Sequence, residues 1–228
     1  MISVVIPTLN AGPALALTLE ALVPAALEGL VREVVAADGG STDATLAILD
    51  DAGARVLRLG ANRGAQLAAG CQAARGPWLL ALHADTRPER GWEAAARRHM
   101  AERPDAAGWF RFALDDPRLI ARLWEAGVDR RSRLGLPYGD QGLLISQALY
   151  RRVGGYAPLP LMEDVDLVRR LGRARLAPIP ARALTSAERF RRDGYWRRSG
   201  RNWRLLAGFL RGADPAELAR RYGQADAA

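Results

Sequence analysis

Four short stretches of the chain hold side chains able to do polar chemistry, each where a predicted strand ends or a predicted helix begins. Asp38-Gly39-Gly40-Ser41-Thr42-Asp43 follows an apolar run. Glycines after a strand let a ligand come close to the backbone. Ser41 or Thr42 suits the cap of the next helix, which would leave Asp38 free to accept hydrogen bonds from a base or ribose. Leu82-His83-Ala84-Asp85 ends a second apolar run. Residues two apart on an extended chain point the same way. His83 and Asp85 could therefore hold a hard divalent cation against a diphosphate, with Asp85 the better oxygen ligand. Tyr138-Gly139-Asp140-Gln141-Gly142 sets a carboxylate and an amide between glycines, a pattern that could bind sugar or acceptor hydroxyls. Met162-Glu163-Asp164-Val165-Asp166 places three carboxylates at a helix start. Helix N-termini favour negative charge, and three such groups leave room for a general base. Taken singly, each stretch also reads as ordinary: a capped turn, a locally packed histidine, a helix-to-strand connection, an acidic helix start.

The elements that must position these groups alternate through the first half. Strand patterns at 2–7, 33–37, 55–59, 77–82 and 107–113 are separated by helix patterns at 14–22, 46–52, 64–74 and 91–103. This rhythm predicts βαβ units and a largely parallel sheet, whose ligands bind beyond the carboxyl ends of the strands. The second half breaks it: a helix at 119–128, an apolar run at 143–145, a helix at 163–171, a proline-rich extended piece at 177–180, and helices at 195–211 and 215–222. In the 195–211 helix, Trp196, Trp203, Leu206 and Leu210 recur at helical spacing, widened by Leu205 and Phe209 and flanked by arginines. Such a stripe packs on the body of the domain under arginine stems. It also suits a peripheral membrane contact or self-association into a homo-oligomer.

Composition narrows the chemistry. The 228 residues carry a net charge of +8, and all 33 basic residues are arginine. Schiff-base, P-loop and general-base lysines are therefore excluded. Two histidines exclude a three-histidine zinc site, and the single Cys71 excludes an internal disulfide. The basic excess lies in the second half: 11 Arg against 14 Asp/Glu in residues 1–117, 11 against 6 in 118–181, and 11 against 5 in 182–228. No run reaches the roughly 18–20 apolar residues of a membrane span, and the N-terminus reads as a strand rather than a leader. The expectation is a cytoplasmic protein, at the inner face of the membrane if the tail helix meets lipid. A basic nucleic-acid-binding module would use Tyr195, Trp196 and Trp203 among the tail arginines, but the acidic first half and the lack of a recognised motif point to no nucleic acid. A nucleotidyltransferase is disfavoured because residues 7–13 offer no basic group to grip a triphosphate.

Read together, the motifs resemble those of the family-2 inverting glycosyltransferases. The likeness rests on Val5-Ile6-Pro7-Thr8-Leu9-Asn10, Asp38-Gly39-Gly40-Ser41-Thr42-Asp43, Asn62-Arg63-Gly64, His83-Ala84-Asp85 and Glu163-Asp164, over about residues 1–175. A small bacterial subgroup is similar further, through Leu82-His83-Ala84-Asp85-Thr86, Gly139-Asp140-Gln141, Met162-Glu163-Asp164-Val165 and residues 190–196. The resemblance implies an α/β GT-A fold: a Rossmann-like, mostly parallel sheet flanked by helices, with a C-terminal helical extension. It implies a catalytic unit over residues 1–186 (nucleotide-binding half about 1–117, acceptor half about 118–186) and an extension over 187–228. It implies a donor of the UDP- or GDP-sugar type and an acceptor hydroxyl of unknown identity. By position, Pro7, Thr8, Asn10 and Asp38 would line the nucleoside pocket, and Asp85 would hold Mg²⁺ or Mn²⁺ on the diphosphate. Asp164 would be the general base. His83, Ala84, Asp140, Gln141 and Glu163 would contact substrate, with Arg63 or Arg192 on the departing diphosphate. Two departures stand out: the common Asp-x-Asp metal motif is His83-x-Asp85, and the acidic residue often found after the N-terminal Asn is Ala11. A homologue that binds nucleotide sugar without turnover is the alternative.

Overall fold

The computed structural model describes residues 1–226. In chain order the elements are β1 Ile2–Thr8, α1 Gly12–Glu20, α2 Val23–Leu27, β2 Val31–Asp38, α3 Thr45–Asp51, β3 Arg55–Arg58, α4 Arg63–Ala73, β4 Trp78–Ala81, β5 Thr86–Pro88, α5 Trp92–Glu102 and β6 Ala107–Leu114. They continue with α6 Leu119–Arg133, β7 Leu143–Ser146, α7 Gln147–Arg152, α8 Glu163–Leu171, β8 Leu176–Thr185, α9 Glu188–Asp193, α10 Tyr195–Leu210 and α11 Pro215–Asp226. Short 3-10 turns at Gly139–Gln141 and Arg173–Arg175 precede β7 and β8.

Eight strands form one sheet in the order β3-β2-β1-β4-β7-β6-β8-β5. The first four are mutually parallel, as the alternating rhythm predicts. β7 enters antiparallel between β4 and β6, while β6 and β8 run parallel. That insertion places the site. β4 ends at Ala81, and its partner Leu143 begins β7. The turn just before β7, with Asp140, therefore lies at the same edge as the carboxyl ends of β1, β2 and β4. β8 ends there too, since Thr185 pairs with Leu114 at the end of β6.

Burial follows the pattern of the residues. β1 and β4 read as nearly continuous apolar runs because helices cover both faces. Ile2, Val4, Ile6, Leu80, Trp92 and Phe110 share one core cluster. Val5, Leu79, Ile145 and Leu167 share another. Four short elements go beyond those that the sequence pattern predicts: β5, α2, α7 and α9. β5 is three residues long and contains proline, so it carries no period to detect. The proline-rich piece is part of a ten-residue strand. Its Pro178 and Pro180 are exposed and stand beside a register shift in β6 at Phe110/Arg111, where a missing N–H is tolerated.

Candidate active site

Two loops at the ends of β1 and β2 are locked around Asp38. Thr8 and Asp38 are partners in the parallel register. Asp38 Oδ1 accepts from Thr8 Oγ1 at 2.9 Å and Ser41 Oγ at 2.5 Å, and Oδ2 accepts from the N–H groups of Gly40 and Ser41, each at 2.9 Å. A carboxylate has about four acceptor positions, and protein donors take all four. Asp38 is 1% exposed. Burial works to raise its pKa, but the hydrogen bonds led by Ser41 hold it below the ordinary carboxylate range. The expectation of a free Asp38 is thereby corrected: it organises the loop. Ser41 and Thr42 do not cap α3 either, because Ser41 is spent on Asp38 and the Thr42 N–H donates to Asn10 Oδ1 at 2.9 Å. Asn10 is exposed, with φ 48° in the left-handed region. Pro7, Thr8, Asn10 and Asp38 thus meet at one sheet edge, with Thr8 and Asp38 buried and Pro7 half-buried.

The Asn62-Arg63-Gly64 motif joins this edge to the second half. Asn62 caps α4 by accepting from the Ala65 N–H at 3.0 Å. Gly64 lets residues 157–159 run against the helix: a Cβ there would sit 2.3 Å from the Ala157 carbonyl oxygen. On the next turn, Gln66 Nε2 donates to the carbonyls of Thr8 at 3.0 Å and Ala37 at 2.6 Å. Arg63 bonds both oxygens of Glu163, Nη2 to Oε2 at 3.1 Å and Nε to Oε1. Glu163 is fully buried. Burial pushes its pKa up, against the pull of Arg63. Burial opposes the charge on Arg63 as well, but Glu163 and Asp164 hold its pKa above the ordinary arginine value. Glu163 therefore positions α8 and has no face for substrate, while Arg63 still lines the cleft.

That cleft, about 180 Å³, brings Asp85, Asp140 and Asp164 together with His83 and Arg63. Asp164 stands in the first turn of α8, after Met162 at φ 66°. A β-unbranched but bulky residue in this region stores strain, a feature concentrated at functional sites. Asp164 Oδ2 accepts from the Gly139 N–H at 2.7 Å, and Oδ1 accepts from the Val165 N–H at 2.7 Å. Glycine is required at 139: a Cβ would lie 2.7 Å from His83 Nε2 and 3.1 Å from Asp164 Oδ2. His83 and Asp164 thus approach one point from opposite motifs. Asp140 Oδ1 is buried without a hydrogen-bond partner among the described residues. Burial pushes the Asp140 pKa up to about 6; Arg131 opposes this, and Asp164 and Asp85 add to it.

Other expected contacts are used within the protein. Gln141 is fully buried; its Oε1 accepts from Ser132 Oγ at 2.9 Å and the Tyr138 N–H at 3.1 Å, and its Nε2 donates to the Phe110 carbonyl at 3.1 Å. The Ala84 carbonyl accepts from Thr18 Oγ1 at 2.9 Å. Arg192 is exposed and pairs with Asp193 at 2.8 Å, outside the cleft lining.

The arginine of the C-terminal helices that reaches the cleft is Arg198, 7% exposed, with Asn202 one turn on. Arg198 donates to Asp193 Oδ2 and to Tyr222 Oη, both at 3.1 Å. The inward stripe of α10 is Tyr195, Arg198, Ser199, Asn202, Leu205 and Leu206. The expected stripe is corrected in part: its Leu205 and Leu206 face inward, but Trp196 and Trp203 are 75% and 58% exposed. An apolar count missed the rest of the inward face because a face lining a polar cleft carries polar residues. The period from Tyr195 through 198, 199, 202, 205 and 206 was there to read. Tyr195 anchors the helix by donating to buried Asp116 at 2.8 Å. Arg198 and Arg201 both turn toward Asp193, whereas Arg197 and Arg204 are exposed beside Trp196 and Trp203. No described helix is long and apolar enough to cross a membrane.

The model described as Glycosyl transferase family 2 matches residues 3–154. TarS from S. aureus, residues 1–349, is similar in fold, with a TM-score of 0.65 at 17% identity over 82% of this chain and 60% of that one. Its complex with UDP-GlcNAc gives 0.65 at 16% identity, over 81% and 58%. Glucosyl-3-phosphoglycerate synthase from Mycobacterium tuberculosis, in complex with Mn²⁺ and UDP-glucose, gives 0.59 at 21% identity, over 80% and 69%. The chain thus spans about 60% of the TarS fragment's length. No curated protein matches it.

Proposed function

The chain belongs to glycosyl transferase family 2, and from that premise we propose that it moves a sugar from a nucleoside-diphosphate sugar to an acceptor hydroxyl, with inversion at the anomeric carbon. One observation carries the reading: Asp85, Asp140 and Asp164 line a single cleft at the carboxyl edge of the sheet. Asp164 is the general base. Its two backbone hydrogen bonds fix the carboxylate, which takes the proton of the acceptor hydroxyl as that oxygen attacks. The bond from the anomeric carbon to the diphosphate oxygen breaks in the same in-line step. Arg63 and Arg198 supply positive charge on the cleft wall. We place the donor's nucleoside at the edge formed by Pro7, Thr8, Asn10 and Asp38, with Pro7 and Asn10 presenting groups and buried Thr8, against the expectation of a direct contact, holding the loop together with Asp38.

A divalent cation fits this donor set. Among the described residues no group of three or more His, Cys, Asp or Glu is placed to hold a metal by itself. Mg²⁺ and Mn²⁺ at phosphate sites need only one or two carboxylates, the substrate supplying the rest. Asp85 would hold the ion, and the partnerless Asp140 Oδ1 is an oxygen in search of a donor or a cation. A bound cation would neutralise charge on the departing diphosphate. A related enzyme of the fold is described in complex with Mn²⁺ and UDP-glucose, which supports a UDP-type donor here. Residues 1–186 form the catalytic unit, and the C-terminal helices close over it through Arg198 and Tyr222. The match of Leu82-His83-Ala84-Asp85-Thr86 and Met162-Glu163-Asp164-Val165 supports membership of the small bacterial subgroup.

The test pairs binding with turnover. Thermal shift with UDP and GDP, with and without Mn²⁺, reads donor binding; sugar release from nucleotide sugars reads transfer. Asp164→Asn is expected to lose roughly a hundred- to ten-thousand-fold in turnover while still binding nucleotide. Asp85→Ala is expected to lose the metal-dependent part of binding. Turnover by Asp164→Asn at the wild-type rate would overturn the role of Asp164, and wild type that binds nucleotide without releasing sugar would mark an inactive homologue.

A further inference from the structure

A second cavity, about 260 Å³, opens off the carboxylate cleft between α6 and α10. Tyr138, Asp140, Phe190 and Asn202 line both spaces, so the two adjoin. Away from this shared wall the lining turns apolar: Phe112, Leu123, Trp124, Val128 and Trp203. Among the described residues of this outer lining the polar ones are Ser199 and the cation Arg131, which has partners of its own. The guanidinium lies 3.4 Å from the centre of the Tyr138 ring and donates to the Leu136 carbonyl at 3.0 Å. Away from the shared wall, a polyhydroxylated body would find few partners for its hydroxyls. The outer edge stays apolar too, with Leu123 70% and Trp203 58% exposed.

Gly127 gives an independent indication. It lies inside the 15-residue helix α6 and lines the groove. Glycine in a helix interior is unfavourable relative to alanine. Nothing in the protein requires it: its backbone is not left-handed, and a Cβ there would meet nothing within 4 Å. What the missing side chain leaves is open space in the groove.

We propose that this groove is the acceptor subsite, and that the acceptor is a neutral alcohol carried on an apolar body. The body lies against Gly127, Trp124 and Trp203, and its hydroxyl reaches the cleft at the Asp140 end. The inference rests on the glycosyl-transfer reading. The alcohol oxygen bonds to the anomeric carbon, the bond to the diphosphate breaks, and the hydroxyl proton goes to Asp164. The products are an O-glycoside of the alcohol and the nucleoside diphosphate.

The test measures dissociation constants for 4-phenylbutan-1-ol and butane-1,4-diol by saturation-transfer NMR, and for UDP with Mn²⁺ by calorimetry. Wild type is expected to bind the phenyl alcohol at least about ten-fold more tightly than the diol. Gly127→Leu, which fills the groove, and Trp203→Ser, which removes an exposed wall, are each expected to weaken the phenyl alcohol about ten-fold or more while leaving UDP–Mn²⁺ binding unchanged. Equal affinity for the two alcohols, or phenyl-alcohol binding by both variants as by wild type, would overturn the proposal. Failure of wild type to bind UDP–Mn²⁺ would count against the donor reading instead, and the alcohol comparison would still judge the groove.

Discussion

Removing one partner of the Arg63–Glu163 pair gives the sharpest test of how the site is held. Glu163 is 0% exposed, whereas the Arg63 side chain keeps 34% of its surface in solvent. The two single variants should therefore differ. Arg63→Met strands a buried carboxylate, and breaking such a pair costs about 3–5 kcal/mol. The value should fall near the lower bound, about 3 kcal/mol, because the adjoining cleft admits water. Glu163→Gln leaves a guanidinium that can turn to solvent and to Asp164, at a cost of about 1–2 kcal/mol. In the double variant Arg63→Met/Glu163→Gln no charge is stranded, so its loss should be smaller than the sum by about 2 kcal/mol. The pH response has a definite sign. Burial already lifts the Glu163 pKa above 4.5, and Arg63 opposes that rise. Without Arg63 the folded-state pKa climbs further, so the Arg63→Met deficit should grow as pH rises through that range and shrink as it falls to about pH 5. Urea denaturation followed by circular dichroism at about pH 7.5 and about pH 5 measures all four proteins. Additive losses, or a deficit independent of pH, would refute the reasoning.

Two further outcomes follow from the carboxylates. Asp140 has its pKa pushed up from 3.8 to about 6 by burial, so its ionisation destabilises the fold as pH rises between those values and at a constant level above them. Asp140→Asn should gain about 1–2 kcal/mol above pH 6, discounted from the full shift because the residue keeps some contact with solvent, and should gain nearly nothing at about pH 4; thermal denaturation across this range would expose an error as a pH-independent gain. Asp38 is the opposite case: its pKa is held below 3.8, so its contribution is present above that value and lost as pH falls through the depressed one. Asp38→Asn, whose amide must face donors, should cost about 2–3 kcal/mol near neutral pH, and an unchanged urea midpoint would contradict the four-bond account.

Much of the scaffold was legible in the chain itself. Alternation of apolar strands with helix patterns foretold the parallel β3-β2-β1-β4 half because both signals are local, set by periods of two and 3.6 residues. The motifs at Asp38, Asp85, Asp140 and Asp164 were legible as polar groups at element ends, and β7's antiparallel entry is what gathers the last three into one cleft. Residue type could not say which polar groups are consumed internally. Asp38, Gln141 and Glu163 look as available in the sequence as Asp140 and Asp164, yet their polar atoms are taken by partners that in several cases are distant in the chain: Thr8 and Arg63 donate to Asp38 and Glu163, and Gln141 donates to the Phe110 carbonyl. The tail shows the same limit. Hydrophobicity selected Trp196 and Trp203 as the inner face of α10, whereas Asp116, holding Tyr195, turns Arg198 and Asn202 inward. Periodicity is a property of neighbouring residues, but satisfaction of a buried polar group depends on atoms brought close only when the chain has closed on itself.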